Sequence, residues 1–399
     1  MTPEHTTPEA HVTSGINALT REWLRRDPAS PPAMLSAAGV WPLLAALSTA
    51  SDETAAAELR SATGVPPADA AAAVGSLFDR LATMDGARAA LGLWASPDLA
   101  LDSDWLATLP AGLVGRLSGD PATDGATVDA WAATQTDGMI PRMPVDTSRP
   151  LDLILATAVS LRGRWREPFA DSPWRFPSGP WRDLDCHGLT AVSTDLSALR
   201  VWPGRLSTLR VPTVEDLDVV LAIGPRDRPP GDVLASAVDS LADAPPVTGE
   251  DLAEGADAPG VDVRTVPDPE PDPAPRLSIV TVAFDVSADH DLTEEAGLFG
   301  LTELLRPDHF ALTGLADRPC RLEQARQNGV ARFSAAGFEA AAVTAMGAVA
   351  AGALLPRGTR REVTVSFGRP FGYLAVHRDS GLVLAAGWID RPREWSFDD

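Results

Sequence analysis

The chain contains no lysine: all 33 basic residues among its 399 are arginine. That absence excludes a lysine Schiff base, a lysine general base and the lysine of a phosphate-binding loop. Cysteine is scarce as well. Cys186 and Cys320 are far apart in sequence, which is neither a disulfide framework nor a zinc-ligand spacing. No apolar run approaches the roughly 20 residues that span a bilayer. The stretch from Met1 to Leu19 is polar and acidic and lacks the basic-then-apolar order of a signal peptide. These features predict a cytoplasmic protein, unless it leaves the cell by another route. Enzyme motifs are missing too. The sequence has no GxSxG, HExxH, CxxC or GxGxxG, and His5, His11, His187, His290, His309 and His377 show no ligand spacing. Cys186-His187 are neighbours in sequence, which is a poor arrangement for a catalytic dyad. No metal, cofactor or catalytic residue is expected.

What is present is acidity and a large apolar fraction. The formal net charge is -22 and 45% of the residues are hydrophobic. A polyanion is repelled by nucleic acid and by anionic lipid, so neither is expected as a partner. The arginine-only basic set, with abundant Ala, Gly and Pro, reads as a GC-rich, actinobacterial style of coding. Eleven tryptophans stand against one tyrosine, Tyr373.

Residues 1–11 read as a disordered tail. Ile16, Leu19, Trp23 and Leu24 recur at helical spacing, and Val40 to Leu47 is a second apolar stretch. Asp52-Glu53-Thr54 reads as a helix start, with acidic residues at the positive end of the helix dipole. Asp69 to Leu81 predicts another helix with Asp69 as N-cap, and Thr127 to Thr136 a third that ends near Gly138. Leu151 to Leu161 and Asp216 to Ile223 are apolar enough to be buried central strands. Residues 245–275 are rich in Pro, Asp and Gly and read as a solvated loop insertion. Strand patterns resume at Leu277–Phe284, Glu362–Phe367, Phe371–Val376 and Leu382–Trp388, with a turn at Asp379-Ser380-Gly381. This order predicts an α+β fold.

Several blocks carry a family resemblance. Phe367-Gly368-Arg369-Pro370-Phe371 through Gly387-Trp388-Ile389-Asp390-Arg391-Pro392 resembles the ending of serpins, the serine protease inhibitor superfamily. Gly337-Phe338-Glu339-Ala340-Ala341-Ala342-Val343-Thr344 resembles the serpin hinge, and Gln327 to Ser334 fits the strand leading into it. Upstream, the block from Ser51 to Leu59 resembles a family helix start. Val128-Asp129-Ala130-Trp131 resembles the helix that crosses the main sheet, and Leu155 to Phe169 the strand and turn at its top. Taken alone, the Ala-rich hinge would also read as a helix. Its place between a strand pattern and the terminal hairpins favours the hinge.

The resemblance, to a bacterial member, implies a large central mixed sheet, two further sheets, about eight or nine helices and an exposed reactive-centre loop. It implies one domain over residues 12–392, with the hinge and loop at 337–361 and a short tail at 393–399. The implied function is suicide inhibition of a serine protease. The cleaved loop inserts into the main sheet as an extra strand and traps the protease as a covalent complex. The implied partner is that protease, and the implied state is a monomer. The alternative is a non-inhibitory serpin-fold protein, either a small-molecule binder or a recruited enzyme. Family spacing places the scissile bond at Ala351-Gly352. The loop is longer than usual, which leaves Leu354 and Arg357 as alternatives. Insertion requires that Phe338, Ala340, Ala342 and Thr344 face the core and that Glu339 and Ala341 face out. Phe338 stands where threonine is usual, and overpacking by so large a side chain costs about 1–3 kcal/mol. Ala335 replaces a usual acidic residue. In the implied shutter and breach, Ser36 and Trp165 match the family, while Thr157 replaces Asn and Gln327 replaces His. A Thr/Gln pair can hydrogen-bond but lacks the pH response of histidine.

Overall fold

The computed structural model describes residues 8–149, 151–243, 247–338 and 357–396. Among these are eight α-helices and three sheets. The first helix, Pro8–Leu24, starts inside the segment read as a tail. It buries Val12, Ile16, Leu19, Trp23 and Leu24, so the helix is anchored from Val12 onward.

Helix Ala37–Ser48 is apolar on every side, and all its residues are buried. Ser36 caps it by accepting a hydrogen bond from the Gly39 amide, 3.2 Å. Gly39 lets this helix approach the main sheet: a Cβ there would lie 2.9 Å from Val159 Cγ2. Helix Glu53–Thr63 begins at Asp52, as the acidic run predicts, and ends at Gly64 with φ +74°. The next helix, Pro67–Thr83, corrects the cap assignment. Pro67 occupies the first helical position, where its missing amide costs nothing, and Asp69 sits inside the first turn. Helix Pro121–Gln135 starts earlier than its apolar pattern suggests, because Asp120 caps it through the Thr123 amide.

The main sheet runs Val114–Arg116, Ala87–Ala95, Leu153–Leu161, Leu322–Phe333, with Phe284–Asp291 on the far side of the last. Its two central strands, Leu153–Leu161 and Leu322–Phe333, are parallel and directly paired from Leu322 opposite Leu153 to Gly329 opposite Val159. Beyond Gly329 this pairing stops. The space at the top is taken by Gly337–Phe338, with Phe333 opposite Phe338 on one side and Gly163–Arg164 on the other.

The six-stranded sheet is antiparallel throughout, in the order Val247–Thr248, Leu199–Trp202, Leu206–Pro212, Leu217–Ile223, Phe371–His377, Val383–Ile389. The five-stranded sheet runs Val261–Asp268, Gly358–Ser366, Arg276–Val282, Cys186–Ser193, Ala170–Trp174. Ala283 alone separates Arg276–Val282 in this sheet from Phe284–Asp291 in the main one, and the sequence pattern had merged the two strands up to Phe284. One large core lies between the main sheet, helix Ala37–Ser48 and the six-stranded sheet. On the opposite face, helix Pro121–Gln135 covers Ala90, Trp94, Ile154, Ala156 and Ala158.

Two further readings need correction. Residues 245–275 are not loop throughout, because Val261–Asp268 pairs along its whole length with Gly358–Ser366. It is an edge strand, where Pro267 and the exposed Asp262 are tolerated, so its composition resembles a loop. The C-terminal segment is also held. The amides of Arg393, His187 and Trp395 donate to Ala283, Arg393 and Asp185 respectively, and the Trp395 ring lies 4.8 Å from that of His187.

Candidate functional site

The candidate site is the central strand pair and the segment that enters it from the top. Ser334 to Phe338 makes a tight reversal after Leu322–Phe333. The Ser334 amide donates to the Gly337 carbonyl at 2.9 Å, and the Ser334 hydroxyl donates to the same oxygen at 3.1 Å. Gly337 is required there by contact, since a Cβ would collide with the Gly163 carbonyl. Trp165 fixes the reversal from the opposite side. Its indole N–H donates to the Ser334 carbonyl at 2.8 Å and its amide to the Ala336 carbonyl at 3.1 Å. Ala335, at the position where an acid is usual, is half-buried and accepts from the Phe169 amide at 2.9 Å.

Phe338 is fully buried. Its ring centroid lies 6.0 Å from that of Tyr373, within a run of contacting rings: Tyr373 on Phe284 (5.1 Å), Phe284 on Phe333 (5.3 Å), Phe333 on Trp165 (4.7 Å) and on Phe169 (5.6 Å). The large side chain occupies an aromatic niche built for it. Tyr373 is buried with its hydroxyl donating to the Ala33 carbonyl at 3.0 Å, and burial pushes its phenol far above the usual range. Sequence reading found Trp165 and Phe338 but missed Phe284, Phe333 and Tyr373. Those three come from separate strands, and no local motif joins them.

Below the niche the central pair is pinned by a polar cluster. Gln327 and Thr157 face each other across the two strands and Ser36 comes from the helix cap beneath. The Gln327 side-chain N–H₂ donates to the Ser36 carbonyl (2.8 Å) and to Thr157 Oγ1 (3.1 Å), and its oxygen accepts from the Ser36 amide (2.9 Å). Ser36 Oγ donates to the Leu384 carbonyl at 2.6 Å, tying in the six-stranded sheet. Thr157 and Gln327 are fully buried and Ser36 nearly so. The sequence thus placed Ser36, Thr157 and Gln327 together, and the geometry joins them.

A histidine does stand nearby. His290 pairs with Gln327 on the neighbouring strand, its Nε2 lies 2.7 Å from the Met34 carbonyl, and burial holds its pKa below the usual value. Nothing in its local sequence marked it.

Glu339, Ala340, Ala341, Ala342, Val343, Thr344, Ala351, Gly352 and Leu354 lie outside the described residues. Arg357 is exposed, and its amide donates to the Asp268 carbonyl at 2.8 Å, at the root of strand Gly358–Ser366. The two cysteines are buried, and burial pushes both thiols up to about 11, which leaves them neutral. The Cys186 sulfur faces the Leu184 carbonyl, while His187 Nε2 lies 3.2 Å from Asp171, so the neighbours form no dyad. Among the described residues, no cluster of His, Cys, Asp and Glu could hold a metal and no helix is long and apolar enough to cross a membrane.

Residues 19–175 match the model of the family described as Serpin (serine protease inhibitor). Solved serpins share the fold over the whole chain. Native protease nexin-1, crystallised with heparin, is 14% identical with a TM-score of 0.71, covering 97% of this chain and 100% of that one. Native tengpin, a thermophilic serpin, is 14% identical with a TM-score of 0.71, covering 96% and 94%. The chain has the serpin fold, and its N-terminal part matches the serpin family model. Serpin48 of the insect Tenebrio molitor is similar to the same extent: 15% identical, TM-score 0.69, covering 98% of this chain and 99% of its own. No curated protein matches this chain.

Proposed function

We propose that this chain is a suicide inhibitor of a serine protease, with Ala351-Gly352 as the bait. The observation that carries the reading is the position of Gly337–Phe338. Gly337–Phe338, the first two residues of the proposed hinge, pair at the top of the main sheet, and the Phe338 side chain is buried there. The central strands below it are parallel neighbours with no strand between them. A strand that continues downward from Phe338 runs antiparallel to both. Insertion therefore replaces one slanted parallel ladder with two antiparallel ones, and those are the more stable per residue. It also buries alternate side chains, which are Ala340, Ala342 and Thr344 in this chain. All three are small, so their burial needs no large cavity in the core.

The chemical step supplies the trigger. The protease serine attacks the Ala351 carbonyl, the peptide bond breaks, and the amine of Gly352 leaves with the proton passed on by the protease's base. What remains is an ester between Ala351 and the protease. Cleavage frees the loop from its C-terminal anchor, so the hinge can continue its insertion before water hydrolyses the ester. The alternative bond Arg357-Gly358 is less suited. The Arg357 amide is tied to Asp268, and Gly358 is already paired in the five-stranded sheet, so a protease cannot draw this segment into its cleft without breaking those bonds.

The test is to mix the full chain with elastase, subtilisin and trypsin. An SDS-resistant complex with elastase or subtilisin is expected, with the new N-terminus of the released fragment at Gly352. The nicked protein should also unfold at a markedly higher temperature than the intact one. Clean cleavage with no complex and no gain in heat stability, across a broad protease panel, would mark a non-inhibitory serpin-fold protein.

A further inference from the structure

A cavity of about 530 Å³ lies at the seam between the two smaller sheets, away from the hinge and the central strands. Its walls come from separated parts of the chain. Arg226 follows strand Leu217–Ile223, Ser366 ends strand Gly358–Ser366, Arg369 lies just beyond it, and Asp257 precedes the edge strand Val261–Asp268. Phe176 and Ser178 close one side. The arginines are the informative feature. Most half-buried arginines of this acidic chain meet a carboxylate, as Arg210 and Arg378 do at Asp218 and Arg360 does at Asp268. Among the described residues, neither Arg226 nor Arg369 forms an ion pair. Arg369 donates only to the Gly224 carbonyl. It is half-buried and near enough to Arg226 that burial and the second guanidinium both hold its pKa below the usual range. Two like charges converging on one concavity, one of them partly desolvated, cost free energy unless an anion joins them.

We propose that this cavity binds a small organic oxyanion, a carboxylate or a phosphate monoester carried on an apolar body. The guanidiniums of Arg226 and Arg369 take the oxyanion, since a planar fork of N–H donors matches either group. Phe176 and the flanking prolines and alanines receive the apolar part, and Ser178 and Ser366 supply hydroxyls. The volume is that of a site for a drug-sized molecule, well above what a lone inorganic ion fills. Asp257 on the same wall excludes a ligand that carries a second anionic group at that end. Binding here is separate from protease trapping and does not depend on it.

Phenyl phosphate, benzoate and inorganic phosphate are the probes, each titrated calorimetrically into the full chain. Phenyl phosphate or benzoate should bind more tightly than inorganic phosphate, and the stronger of the two identifies the headgroup. Arg226→Gln removes an exposed side chain with no ion-pair partner, so the fold is kept. It should weaken that binding about tenfold, the size of one charge-assisted contact. Arg369→Gln should do the same, while Arg60→Gln, an exposed arginine on a distant helix, should leave affinity unchanged. The proposal fails if neither organic anion binds more tightly than inorganic phosphate. It also fails if Arg226→Gln binds as the parent does, or if Arg60→Gln weakens binding equally.

Discussion

At the top of the main sheet the central strands are separated by Gly337–Phe338, and a run of rings packs around Phe338. Lower down, the same strands are in register and joined through an amide, a hydroxyl and a helix cap. The upper region, Trp165, Phe169, Phe284, Phe333, Phe338 and Tyr373, is packed ring on ring, with one side-chain hydrogen bond each from Trp165 and Tyr373. The lower one, Ser36, Thr157 and Gln327, is held by buried hydrogen bonds, each of which is costly to leave unmade. A strand can begin in the ring region without stranding a polar group. It cannot pass Gln327 until the bonds across the central pair are exchanged. The two regions therefore differ in kind: rings pack around Phe338 at the top, and hydrogen bonds join the central strands below.

The largest effect is expected from emptying the niche. Phe338→Ala removes a fully buried ring whose neighbours are themselves ring-packed and slow to collapse, so native stability should fall by about 3–5 kcal/mol. The denaturant midpoint measures it. A loss under about 1 kcal/mol would mean that this ring does not anchor Gly337–Phe338 at the top of the sheet.

Gln327→Leu comes next. It leaves the Ser36 amide, the Ser36 carbonyl and the Thr157 hydroxyl buried and short of a partner, at about 2–3 kcal/mol in total. The pair of variants sharpens the comparison. If rings and polar cluster are separate devices, the double variant should lose the sum of the single losses to within about 0.5 kcal/mol. A clear shortfall would show that loosening the top already frees the bottom.

The same contrast explains what could be read from sequence. The polar cluster was legible because Ser36, Thr157 and Gln327 fall in recognisable blocks, and because a buried hydroxyl or amide must find a partner. Of the alternation expected for the hinge, only Phe338 lies within the described residues, and it is buried. The niche was not legible. Phenylalanine is an ordinary core residue, and nothing local distinguishes Phe284 or Phe333 from the rest of the apolar set. Edge strand Val261–Asp268 was hidden for a related reason. An edge needs only one partner and tolerates proline, so its composition is that of a loop. Phe338 was expected to overpack because a lone sequence position shows the size of a side chain but not the space that distant strands leave for it.

His290 tests the lower region by pH. It pairs with Gln327, reaches the Met34 carbonyl two residues before Ser36, and packs edge-on to Trp23 at 4.9 Å. Burial lowers its pKa below 6.5, and this outweighs the opposite pulls of the Met34 carbonyl and of Asp289. The unfolded chain therefore takes up this proton more readily than the folded one, and folding stability rises with pH across the window just below 6.5. Above that window the imidazole is neutral in both states and its contribution is flat. Below it, acid favours the unfolded chain and loosens the cluster beside Gln327. His309 has the opposite sign. Glu303 first, and Asp52 after it, raise its pKa, so its stabilising contribution is complete below 6.5 and is lost as pH rises through the folded value. His290→Gln should accordingly flatten the acid side of the stability profile, by about 1 kcal/mol between pH values of about 5 and 8. His309→Gln should cost more stability at the acid end than at the alkaline end. Denaturant midpoints for the parent and both variants at the two pH values decide it. A parent profile that His290→Gln leaves equally steep would place the acid sensitivity elsewhere, and the bonds around Gln327 would then be indifferent to pH.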